Sequence, residues 1–201
     1  KKREKFPVDF ALAKDIDSST NWTAKTRLLG QNDLSANTDG DEQGANYNLF
    51  DYMNGHFARS NTASDEQSWM WKRARGYFDV VAYTGNGNTN RSVTHNLGVV
   101  PEMMWIKNRD ESVYWVVYHK DLGANKELIL NANDEVRSVD QFNNTTPTSS
   151  VFTVGTPSGP DLQYVNKSDI GFINYLFATL AGVSKVGSFT QSGATNVDCG
   201  F

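Results

Sequence analysis

The sequence predicts an all-β protein, organised as two tandem β-sandwich or jelly-roll-like repeats, either packed as one body or exchanging strands. Three observations point there. Short runs rich in β-branched and aromatic residues, such as 77–83 and 113–119, recur between clusters of Asn, Gly, Asp and Ser. No long segment rich in Ala, Leu, Glu and Lys carries a helical apolar period. The second half of the chain also repeats the order of the first.

The elements follow in chain order. Residues 1–5, KKREK, read as a basic linker or cut end. Residues 6–14 alternate Val8, Phe10 and Leu12 with Asp9, Ala11 and Ala13, the period of a strand. Trp22 opens a second strand that ends near Gly30, and the polar residues 32–45 read as a long loop. Residues 48–57 carry Asn54-Gly55 between apolar neighbours, a hairpin signal. A polar connection at 60–67 leads to Trp69 and Trp71. Residues 76–101 read as strand (77–83), tight turn (84–88) and second strand (90–95). In the second half, 102–108, 113–119, 126–131, 151–154, 170–179 and 183–190 read as strands, with a breaker at 156–160. The apolar run 114–118 fits a strand covered on both faces, with a buried helix segment as the alternative.

An internal repeat explains why the order recurs. Residues 69–89 align without gaps on 175–195, an offset of 106 that pairs Gly76 with Gly182, Val80 with Val186 and Tyr83 with Phe189. At an offset of 93, Lys14, Asp17, Trp22 and Gly30 meet Lys107, Asp110, Trp115 and Gly123. Offsets that grow along the chain place the length differences in loops. The reading is a tandem duplication with units at 6–98, the more diverged, and 99–201.

Composition excludes several classes. The net charge is −4 and the pI about 5.3, so no broad basic surface awaits nucleic acid. Cys199 is the only cysteine, which rules out an intrachain disulfide and a cysteine-rich metal site. No apolar run approaches ~18 residues, so no membrane-spanning helix is expected.

The stretches GYFDVVAYTGNG, SVTHNLGVVPEMMWIKNR, NTTPTSSVFTVG and YLFATLAGVSKVGSFTQSG resemble a family of repeated β domains of uncharacterised function. That family occurs in structural proteins of tailed bacteriophages, especially those of marine bacteria. The likeness is close over residues 69–201 and looser over 6–68, with a departure at 47–59. It implies a virion component (tail fibre, tail-associated or capsid-surface protein) that contacts copies of itself and other virion proteins. Homo-oligomerisation and host-surface attachment would follow. It brings no catalytic residue and no cofactor, so no enzyme is expected.

The residues themselves offer few sites. The GNGNTN string at 85–90 is followed by a strand, not the helix a phosphate loop needs, so it reads as a tight turn. His56, His95 and His119 lie in separate strand contexts without metal-ligand spacing. Asp39, Asp41 and Glu42, with Asp33 upstream, could hold calcium; a solvated loop is the first reading. Asp65, Glu66, Asp79, Glu102 and Asp110 show no pairing that would mark a glycosidase. Trp22, Trp105 and Trp115 read as core. Trp69 and Trp71 share one strand face and are the candidate contact residues for a host glycan or a partner. A carbohydrate-binding module is the alternative function they support.

Overall fold

A computed structural model describes residues 2–3, 5–44, 50, 53, 55–56, 65–155, 164–191 and 193–200. Among them the strands are β1 (Lys2–Arg3), β2 (Phe10–Asp15), β3 (Thr23–Thr26), β4 (Asn32–Ser35), β5 (Gln43–Gly44), β6 (Gly55–His56) and β7 (Glu66–Trp71). Then come β8 (Phe78–Thr84), β9 (Arg91–Thr94), β10 (Met103–Asn108), β11 (Val116–His119), β12 (Leu128–Ile129), β13 (Val151–Val154) and β14 (Gly171–Phe177). Among the described residues helix is confined to short 3-10 turns such as Arg27–Leu29. The fold is all-β, and all its strand pairings among the described residues are antiparallel.

Two five-stranded sheets dominate. The first has the order β5-β4-β3-β2-β7 and the second β12-β11-β10-β14-β8. They pack face to face. The Phe10 ring of the first sheet lies 4.7 Å from Tyr175 and 5.7 Å from Phe78 of the second. Ala24, Leu34, Val80, Trp115 and Ile173 join them in one buried cluster. The other face of the second sheet buries Met104, Ile106, Tyr118, Phe172 and Leu176 against Val93, Phe152 and Val154 of the β9–β13 pair. Covered on both sides, β14 reads as the near-continuous apolar string GFINYLF.

The two sheets share their registers. Phe10↔Thr26 and Ala13↔Thr23 join β2 to β3, while Met103↔His119 and Ile106↔Val116 join β10 to β11, each partner displaced by 93. Phe10↔Trp71 joins β2 to β7, and Met103↔Phe177 joins β10 to β14. The same side-chain clamp recurs too. The Trp22 backbone N–H donates to Asn37 Oδ1 at 2.8 Å, and the Trp115 N–H donates to Asn131 Oδ1 at 2.9 Å.

Several strand expectations change. Residues 77–95 are not a hairpin. β8 leaves its sequence neighbour and pairs with β14, whereas β9 pairs with β13. The reason is at 85–88, where Asn166 captures the loop. Its side-chain N–H groups donate to Asn86 Oδ1 and the Asn88 carbonyl, and its Oδ1 accepts from the Asn86 N–H. Residues 32–45, expected as loop, supply β4 and β5. Residues 183–190, expected as a strand, make among the described residues only the Leu180↔Ser184 bridge at their start. The hairpin at 48–57 and the breaker at 156–160 lie largely or wholly outside the described residues.

Candidate contact surface

The first sheet continues beyond the area that the second one covers, and there it presents two tryptophans. Trp69 stands on β7, directly across from Leu12 of β2. Trp22 precedes β3, and its ring stacks on Trp69 at 5.2 Å between centroids and 27° between planes. The backbone that presents Trp22 is fixed at both groups: its N–H by Asn37, its carbonyl by the Ala36 N–H at 2.9 Å. Asn37 Nδ2 in turn donates to Asn21 Oδ1 at 3.1 Å, which sets two amide side chains at the rim of the aromatic pair. Trp69 is 43% exposed and Trp22 half-buried.

The expected pair, Trp69 and Trp71, does share a face, but the two residues do different things. Trp71 stacks on Phe10 at 5.0 Å and borders the inter-sheet core. The partner of Trp69 at the surface is Trp22, a residue read from sequence as core. Trp115 and Trp105 fit the core reading, the first fully buried and the second packed on Phe177 at 4.8 Å. Trp22 departs from it because the first sheet covers Trp115, whose indole N–H reaches the Ser35 carbonyl, whereas the second sheet leaves Trp22 at the margin. Sequence reasoning gives Asn37 and its counterpart Asn131 no role. Their signal is positional, since Asn37 and Asn131 follow Trp22 and Trp115 at nearly the same interval.

The other candidates are engaged in structure. In the glycine turn, the Gly85 N–H donates to Ile170, the Gly87 N–H to the Asn166 carbonyl and the Asn88 N–H to Asn86 Oδ1. With the Asn86 N–H on Asn166, all four amides are used within the fold and none is left for an anion. The buried imidazole of His95 accepts from the Leu97 N–H through Nδ1 and lies 3.2 Å from the Thr148 carbonyl through Nε2. Burial lowers its pKa, so it is a neutral structural group. His119 lies beside Asp121, and the side chain of His56 lies outside the described residues. Asp79 accepts from Arg73 and from the Val80 and Asn96 backbones. Glu102 binds Lys120 and Thr179.

Asp39, Asp41 and Glu42 face cations already in the protein. Glu42 takes the Arg109 guanidinium with both carboxylate oxygens, and Gln43 donates to Asp41. Among the described residues no group of three or more His, Cys, Asp or Glu side chains could hold a metal ion.

Nearby, the buried ammonium of Lys107 donates to the carbonyls of Asn108 at 2.6 Å and Glu111 at 3.1 Å. Burial pushes its pKa down from 10.5 to about 8, while Asp39, Asp41 and Glu111 pull it back upward. Between those two values the unfolded chain holds the proton that the folded chain has released. Stability therefore rises with pH across that window, by at most about 3 kcal/mol. Above pH ~10 the trend reverses, because buried Tyr83 and Tyr175 have raised pKa values and keep protons that the unfolded chain loses. Urea midpoints at successive pH values should trace this rise and fall, and Lys107→Met should flatten the rising limb. A flat profile in the native chain between pH 8 and 10 would refute it.

Residues 9–201 match the family model described as "Domain of unknown function (DUF7483)". No curated protein and no solved structure matches the chain. No helix among the described residues is long and apolar enough to cross a membrane.

Proposed function

The chain belongs to the DUF7483 family, and for it we propose a structural, non-enzymatic role in a bacteriophage particle, as a tail-fibre, tail-associated or capsid-surface protein. It acts by assembly, with host-surface attachment as a second task. Two tandem jelly-roll-like units, 6–98 and 99–201, form its body. The observation that carries the reading is β8. This strand comes from the N-terminal unit and completes the sheet of the C-terminal one, so the architecture already joins unit to unit through a shared sheet. The resemblance of residues 69–201 to phage structural repeats supplies the setting. Partners are copies of the chain and other virion proteins. The role calls for no cofactor, nucleic acid or membrane insertion.

Antibody raised against the chain should label the tail or capsid surface of purified particles from a phage that encodes it. Presence in infected-cell lysate with absence from purified particles would reject the reading.

The Trp22–Trp69 pair favours a second reading, a carbohydrate-binding module for host glycans. A stacked aromatic pair with amide side chains at its rim offers an apolar face and hydrogen-bonding edges at once. On a glycan array, Trp69→Ala should weaken binding about tenfold or more, or ~1.4 kcal/mol, with the melting temperature unchanged. Trp71→Ala should instead lower the melting temperature, because Trp71 packs on Phe10. Failure of the native chain to retain any glycan would remove this reading.

A further inference from the structure

Among the described residues, the repeat leaves one segment and one strand edge unmatched, and they match each other. β8 at 78–84 and residues 184–190 are displaced by 106, as are β7 and the 172–177 part of β14. The turns that lead into both segments have the same form. Ala74 bridges Phe78 with Gly76 at φ 78°, and Leu180 bridges Ser184 with Gly182 at φ 72°. Past those turns the two diverge. β8 pairs with β14 along its whole length, whereas 184–190 pairs with no strand among the described residues. β7 ends the first sheet, with β2 on one side and no described strand on the other. An open strand edge is a template for another chain.

We propose that residues 184–190 of one copy add as an antiparallel strand to the outer edge of β7 in a second copy, joining the copies head to tail. The occupant continues an interface already built within the chain. Transposing the β8–β14 register sets Ser184 opposite Trp71, Val186 opposite Trp69 and Phe189 opposite Glu66, where Phe78, Val80 and Tyr83 face Phe177, Tyr175 and Phe172. The exchange would move Val186 from the inter-sheet cluster in which it is buried to a place beside Trp69, as Val80 stands beside buried Tyr175, and would give a partner to Phe189, which is 64% exposed. The segment's own β7 is not where it lies. Ser188 Oγ donates to Asp121 Oδ2, and the Val186 N–H donates to Thr179 Oγ1. Those bonds carry the segment toward the end of β11, whereas Trp71 of β7 lies near Phe78, on the far edge of the second sheet. Strand addition of this kind draws its affinity from main-chain hydrogen bonds and its register from alternate side chains.

The inference rests on the assembly reading above and names its geometry. The test uses the full chain with Cys199→Ser. Sedimentation velocity over a concentration series should show reversible oligomers, and Gly187→Pro, which removes a ladder N–H, should weaken self-association at least tenfold with circular dichroism unchanged. An equimolar mixture of Trp69→Cys and Val186→Cys chains should form a disulfide-linked dimer under mild oxidation. A mixture of Met70→Cys and Val186→Cys, whose side chains would fall on opposite faces, should not. A chain that stays monomeric at all concentrations overturns the inference, as does an internal disulfide in the Trp69→Cys/Val186→Cys double variant. Either result leaves assembly with other virion proteins standing. Oligomers that persist in Gly187→Pro without the cross-link overturn it too, and point to another interface. Particle labelling tests the virion reading separately.

Discussion

Gly85→Ala should destabilise the protein by roughly 3 kcal/mol, at or above the upper end of ordinary overpacking. A Cβ at this position would stand 1.9 Å from the Lys167 carbonyl oxygen, 2.8 Å from its carbon and 2.9 Å from the Asn166 carbonyl carbon. All three are backbone atoms, so no side chain can rotate aside, and the 166–167 loop must move by more than an ångström. That loop carries Asn166, whose side chain and carbonyl bond Asn86, Gly87 and Asn88. Moving it leaves several of those groups unpaired, at ~1 kcal/mol or more for each one that stays buried. Gly87→Ala is the control. Its added methyl meets only ordinary contacts, so the left-handed φ of 71° sets its cost, about 1 kcal/mol. Urea midpoints of the two variants decide the matter. Equal losses, or a loss under 0.5 kcal/mol for Gly85→Ala, would show that the cradle is not tight.

Trp115→Ala should cost about 3–5 kcal/mol, the range for deleting a fully buried large aromatic. The residue acts as a pin between the sheets. Its ring lies 6.0 Å from Tyr175, and its indole N–H donates to the Ser35 carbonyl of the first sheet at 3.0 Å. Alanine opens a cavity in the inter-sheet core and strands that carbonyl. Trp115→Phe separates the two terms, since it keeps much of the volume and loses the bond, with an expected cost of about 1–3 kcal/mol. Thermal unfolding of both variants gives the comparison. If Trp115→Phe falls as far as Trp115→Ala, packing volume is not the main term.

How much of this was legible depends on whether a feature is local. β2 and β10 announce themselves, because alternation and β-branched residues act within a few neighbours. Strand partners are another matter. Nothing within 77–95 says that β8 will pair with residues 171–177 and not with β9, since that choice depends on Asn166 and on the bare backbone of Gly85. Residues 183–190 carry strand propensity, yet propensity makes no strand without a ladder to join. At the candidate surface, period-two reasoning put Trp69 and Trp71 on one face. It could not show that the second sheet would reach Trp71 and stop short of Trp69. Trp22 and Trp115 hold equivalent sequence positions and equivalent asparagine clamps. Only the offset of one sheet over the other makes one a surface residue and the other a core pin.

The β8–β14 pairing also dictates an order of events during synthesis. β8 must wait for a partner that lies roughly ninety residues further along the chain, so the second sheet closes late and through contacts of high sequence separation. Until β14 has left the ribosome, Phe78 and Val80 have no neighbouring strand to share their burial. Folding of this chain is therefore expected to be slow, and a nascent chain that ends before residue 171 should be prone to self-association and to capture by chaperones.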